Sequence, residues 1–241
     1  MLNLRLASFL DRQESRARAL AEVFGYTPWL TELRAYLGDP RLTREEVWYR
    51  YCRLRETDGP KIDAVKTEAE AREFYRTSEY LLYRQIIHRR HSAWRRVLWT
   101  MKGDVGCLTE FGGGIAPVAA WCLPKKPAWT VKYLDVPSPH ARFGAHRVRA
   151  LTGPWEWHGL SHVTVALDVF EHLPDPASTA RFLVNGLAFN GYLHWNFVPT
   201  DHSGLDLASE SQRQATVAYL YLASALTLVY REGDYHVSRK R

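Results

Sequence analysis

The chain has 241 residues, 46% apolar and 24% charged, enough for one large domain or a core with a sizeable accessory region. A formal net charge of +6 permits an acidic partner without demanding one, and no apolar run reaches the roughly 20 residues of a membrane span, so no membrane insertion is expected. Cys52, Cys107 and Cys122 fit no zinc or redox spacing and read as reduced thiols of a cytoplasmic protein. At the N-terminus, Arg5 and then Asp11-Arg12 come too early for a signal-peptide apolar region.

Residues 1–103 are rich in Arg, Glu, Leu, Tyr and Trp and poor in glycine, a composition that favours helices. Over 3–24, Phe9, Leu10, Leu20, Val23 and Phe24 between charged positions predict an amphipathic helix. Pro28 opens a second helix ending near Gly38-Asp39-Pro40. Thr43 with Glu46 forms a capping-box pattern ahead of a third helix carrying Val47, Trp48 and Tyr51. From Glu68 to Thr100 the spacing of Tyr83, Ile86, Ile87, Trp94, Val97 and Leu98 predicts one long helix. Its segment RQIIHRRHSAWRR holds five arginines and two histidines without an acid. It reads either as a solvated helix face or as a contact for a phosphate, a carboxylate or a nucleic acid backbone.

From Gly103 onwards short apolar runs alternate with Gly, Pro and Asp. Strands are expected at 105–111, 129–135, 162–168 and 191–198, with helices at 115–123, 139–150, 176–188 and 207–224. LTLVYREGDYHVSRK closes the chain as two strands joined at Glu232-Gly233-Asp234. The alternation implies an α/β fold, Rossmann-like, with a mainly parallel sheet over 104–241 behind a helical region at 1–103.

The sharpest local signal is LTEFGGGIAP, residues 108–117. A strand ends at Glu110, Gly112, Gly113 and Gly114 make the turn, and a helix begins near Ala116-Pro117. Glycines let backbone approach a ligand, and the helix start adds a positive dipole end. Nicotinamide and flavin enzymes share such turns, but Glu110 ahead of the glycines would repel a pyrophosphate. It suits instead a ligand bearing a sulfonium and an ammonium. Asp135 closes the next strand, where a carboxylate can accept ribose hydroxyls. LDVFEHLPDP, residues 167–176, is the third element.

On these three elements the chain resembles the class I S-adenosylmethionine-dependent methyltransferases over roughly 104–241. The resemblance implies a seven-stranded sheet with a reversed last strand and S-adenosyl-L-methionine as cofactor. It implies Glu110 and Gly112 to Gly114 at the methionine part, Asp135 on the ribose, and Asp168 and Phe170 bordering the cofactor. GPWEWHG, 153–159, occupies the interval of the family's adenine contact, so Glu156 or a neighbouring tryptophan borders that ring. His172 is the first candidate base, with His194 and His202 behind it. Asp168, Glu171 and His172, with or without His202, resemble the metal-binding motif of ubiquinone-pathway and small-RNA 2′-O-methyltransferases. Asp168 is shorter than the glutamate expected there, and no metal is assigned.

The sequence lacks an Asn/Asp-Pro-Pro-Tyr/Phe motif and a Pro-Cys or Thr-Cys pair, which disfavours methylation of nucleic acid bases. The expected acceptor is an O or N atom of a small molecule, with the helical region as its cover. RNA 2′-O-methylation and a non-catalytic binding or assembly role are the alternatives, and the oligomeric state is left open. Tyr75, Tyr80, Tyr83, His88, Arg89 and Arg90 are the region from which substrate contacts are expected.

Overall fold

The structure, a computed structural model, describes residues 4–6, 28–88, 94–152, 159–197, 205–222 and 225–241. Most of the helix expected over 3–24, and Arg89, Arg90, Glu156 and His202, lie outside these residues.

The described residues of the N-terminal region form a series of short helices. α1 (Pro28–Leu37) begins on its proline and stops before Gly38, which adopts φ 66°. α2 (Arg44–Thr57) and α4 (Glu68–Thr77) each open with a complete capping box, Thr43 with Glu46 and Thr67 with Glu70, and α3 (Gly59–Ala64) lies between them. α5 (Tyr80–His88) and α6 (Trp94–Thr100) follow. The single helix expected from 68 to 100 is therefore wrong. Ser78 is extended; its hydroxyl accepts from the Tyr80 N–H at 3.1 Å and donates to Asp58 at 2.7 Å. A short hydroxyl side chain thus offers the backbone a partner that competes with the helix.

The sheet alternates as expected: β1 (Gly106–Phe111), α7 (Pro117–Cys122), β2 (Trp129–Leu134), α8 (Pro139–Thr152), β3 (Ser161–Ala166), α9 (Pro176–Asn185), β4 (Leu187–Asn196), α10 (Glu210–Leu222), β5 (Leu226–Glu232) and β6 (Tyr235–Lys240). Six strands are present among the described residues, rather than seven, in the order β2-β1-β3-β4-β6-β5. The first four are parallel, and β6 runs antiparallel to both β4 and β5.

One face of the sheet packs Leu108, Val131, Val163 and Val165 against Val97, Val118 and neighbours from α6 and α7. The other packs Leu193 and Trp195 against Ala180, Leu183 and Leu220 of α9 and α10. Burial on both faces explains why β1 and β3 read as apolar runs rather than alternating patterns. The N-terminal helices have a core of their own, including Leu33, Leu42, Val47 and Ile86, which extends into the α/β part through Ile115 and Phe143. Among the described residues no helix is long and apolar enough to cross a membrane.

Candidate active site

The chain leaves β1 through a turn whose glycines are required by the protein itself. Gly112 and Gly114 hold φ values of 63° and 57°, a region that costs other residues steric strain. A side chain at Gly112 would strike Val169, and one at Gly114 would strike Gln85 of α5. Gly144 of α8 lies against the Gly114 carbonyl in turn. Gln85 uses the space it is given: its Oε1 accepts from the Ile115 N–H at 3.0 Å, locking α5 onto the turn.

Glu110 is buried and faces away from any ligand space. Its two oxygens accept from the Val118 and Ala119 N–H groups, at 3.1 and 2.7 Å, and so satisfy the start of α7. Burial pushes its pKa up to about 7 against the pull of those two N–H groups. The charge expected to meet a cationic ligand is taken up by a helix end. Phe170 likewise departs from expectation, being fully buried and stacked on Phe197 with ring centres 6.1 Å apart. Gly114 is buried under Gln85.

A cavity of about 1100 Å³ opens beyond the carboxyl ends of β1, β2 and β3. This is where the strand order reverses direction, with β2 on one side of β1 and β3 on the other, the usual ligand crevice of open α/β sheets. Its lining includes Gly112, Gly113, Leu134, Asp135, Val136 and Asp168. Asp135 accepts from the Gly114 and Val136 N–H groups, both at 2.7 Å, and burial raises its pKa. Asp168, with φ 53°, is held by Asn196, whose carbonyl oxygen takes the Asp168 N–H at 2.6 Å and whose amide donates back to the carboxylate.

A single 3-10 turn, Phe170–His172, also contributes Glu171 and His172 to the cavity lining. His172 Nδ1 lies 2.9 Å from an Asp206 carboxylate oxygen and 3.2 Å from the Leu205 carbonyl. Both neighbours only accept, so Nδ1 carries the proton and the neutral ring keeps its lone pair on Nε2. Burial works against the imidazolium, yet the bond to Asp206 and the charge of Glu171 leave the pKa above its ordinary value. Glu171 is buried, its pKa pushed up by burial, and its Oε2 has no hydrogen-bond partner among the described residues. Among the described residues, no three His, Cys, Asp or Glu side chains gather as a metal-binding group.

The remaining wall comes from outside the sheet. Trp29, Tyr75, Arg84 and Gln85 project from the N-terminal helices, and His140 from α8. His140 is buried, which pushes its pKa down to about 4, with Arg142 adding to the effect; it is neutral at physiological pH. Its ring lies 6.0 Å from that of Tyr75. His194 stands apart, fully buried between Thr100 and Tyr235, and is a packing residue rather than a base. Gln85, His140 and Asp206 were not legible as site residues. Arg84 and Gln85 open the arginine-rich segment, but Asp206 carries no pattern that links it to the distant His172.

The chain is similar to the solved structure of an O-methyltransferase family protein from Burkholderia thailandensis, with 12% identity and a TM-score of 0.51, covering 81% of this chain and 71% of that one. Weaker likenesses include the N-methyltransferase NodS from Bradyrhizobium japonicum, at 17% identity and TM-score 0.43, over 64% of this chain and 96% of that one. Another is human N-acetylserotonin methyltransferase, at 13% identity and TM-score 0.40, over 81% and 66%. No protein-family model and no curated protein sequence matches the chain. At such identities the likeness establishes the fold alone, one shared with that Burkholderia O-methyltransferase family protein.

Proposed function

We propose that the chain transfers a methyl group from S-adenosylmethionine to an oxygen or nitrogen atom of a small molecule, with His172 as general base. One observation carries this: a single cavity is lined by the glycine turn, Asp135 and the His172–Asp206 pair together. Its volume lies at the top of the roughly 300–1,000 Å³ typical of small-molecule sites, which suits a cofactor and an acceptor side by side.

S-adenosylmethionine supplies a methyl group made electrophilic by its sulfonium. Gly112, Gly113, Asp135 and Asp168 would hold it. The donor set fits: each Asp135 oxygen takes one backbone N–H and keeps acceptor capacity for a ligand hydroxyl. Gly112 and Gly113 leave backbone exposed at the cavity wall.

His172 takes the proton of the acceptor on Nε2 as the methyl is transferred, while Asp206 fixes the ring and balances the imidazolium that forms. Residues 1–103 cover the acceptor and keep water from the reacting atoms.

Calorimetric binding of S-adenosylmethionine and S-adenosylhomocysteine tests the reading, with NAD as rival ligand and Asp135→Ala as control. Binding of the pair but not of NAD, lost in Asp135→Ala, is expected. A folded chain that binds neither would be a binding or assembly protein on the same fold.

A further inference from the structure

Five arginines stand between Arg84 and Arg96, and none takes part in the chemistry proposed above. Arg96 packs on the Tyr235 ring at 3.9 Å and meets Glu232 at 3.3 Å, while Arg95 lies over Trp121. Arg84 is different. It lines the cavity, half-buried, with no ion pair and no hydrogen bond among the described residues.

The other charged groups of that wall are engaged. Arg147 reaches Glu32 at 2.9 Å and the Ile115 carbonyl at 2.6 Å. Asp135 is held by amides, Asp168 by Asn196 and Asp206 by His172. Among the described residues, the Arg84 guanidinium has neither ion pair nor hydrogen bond, and Glu171 Oε2 has no hydrogen-bond partner. They sit on different elements, one on the helical cover and the other beside the base. Tyr75 lines the same cavity, and burial first, then the charges of Asp135, Asp206 and Glu171, push its hydroxyl pKa up while Arg84 pulls it down. Gln85, bound to the glycine turn, fixes the backbone that carries Arg84.

A guanidinium drawn partly out of water is costly without an anion, and its planar fork matches a carboxylate. A buried carboxyl oxygen left unmet calls for a ligand donor. We infer that the methyl acceptor is a small hydroxy- or amino-carboxylate, its carboxylate on Arg84 and its methylated group at Glu171 and His172, with Tyr75 lining the same cavity. This rests on the methyltransferase reading and names the substrate class for the same site. The cofactor's methionine part also bears a carboxylate, so the test must separate the two sources.

The full chain is titrated calorimetrically with a panel of hydroxy- and aminobenzoates, each against its matched carboxamide, with and without saturating S-adenosylhomocysteine. At least one carboxylate is expected to bind ten-fold or more tightly than its carboxamide. Arg84→Gln should abolish that preference, Arg84→Lys should retain part of it, and both should leave S-adenosylhomocysteine affinity unchanged. Absence of any carboxylate preference, or its survival in Arg84→Gln, overturns the inference. So does an Arg84→Gln variant that weakens S-adenosylhomocysteine but not 5′-methylthioadenosine, which lacks the carboxylate: Arg84 would then serve the cofactor. Failure of S-adenosylhomocysteine to bind the unaltered chain counts against the methyltransferase reading instead, and the titrations without it still report on Arg84.

Discussion

The end of β1 and the turn after β3 each carry a buried glutamate, and the two are used in opposite ways. Glu110 and Glu171 are equally buried, at 2% exposure, and burial raises the pKa of both. Glu110 meets two N–H groups of α7, one on each oxygen, whereas Glu171 Oε2 meets none. A carboxylate saturated by backbone holds the fold; one left unmet on a cavity wall is held ready for a ligand. On the proposed function, the stability of the site rests with the end of β1 and its chemistry beside His172.

The largest effect expected from this contrast is on rate. His172→Ala should lower single-turnover methyl transfer by roughly 10²–10⁴-fold, with S-adenosylhomocysteine affinity and melting temperature held. An unaffected rate would break the assignment of chemistry to the turn after β3. Next comes stability. Glu110→Ala strands two N–H groups at a buried helix start, each worth about 1–3 kcal/mol, and the urea midpoint should fall accordingly. Glu171→Gln, which removes no hydrogen bond of Oε2, should lower that midpoint less than Glu110→Ala does while lowering turnover. Equal destabilisation by the two variants would erase the comparison.

Smaller effects appear in pH dependence. The base must be neutral, and Asp206 helps hold the His172 pKa above its ordinary value, so the acidic limb of the rate profile should lie above that value. Asp206→Asn should move the limb to lower pH; a stationary limb would assign it to another group. The smallest concerns Glu110, whose pKa rises from 4.5 unfolded to about 7 folded. The folded state then binds this proton more tightly, so the group's contribution is full below pH 4.5 and lost as pH rises through 7. Glu110→Gln should flatten that slope in urea denaturation across the same window.

Much of the α/β half was readable because its signals are local. Strand runs, the glycine turn and the capping box at Thr43 and Glu46 depend on residues a few positions apart. The helix break at Ser78 was not, since Asp58, the acceptor of its hydroxyl, lies 20 positions away. The site divides the same way. Asp135, Asp168 and His172 stand at strand ends or in a compact motif and do border the cavity. Glu110 and Phe170 belong to the same motifs but turn into the protein, because α7 and Phe197 claim them.

By itself the sequence determined where the backbone must turn and alternate, since left-handed φ values at Gly112 and Gly114 and the apolar runs of the strands are local steric and solvation facts. Only the tertiary structure decided which polar groups are satisfied and which are left open. That outcome depends on partners brought together by packing, such as Asp206 at His172 and Gln85 at the glycine turn, and no spacing along the chain encodes it.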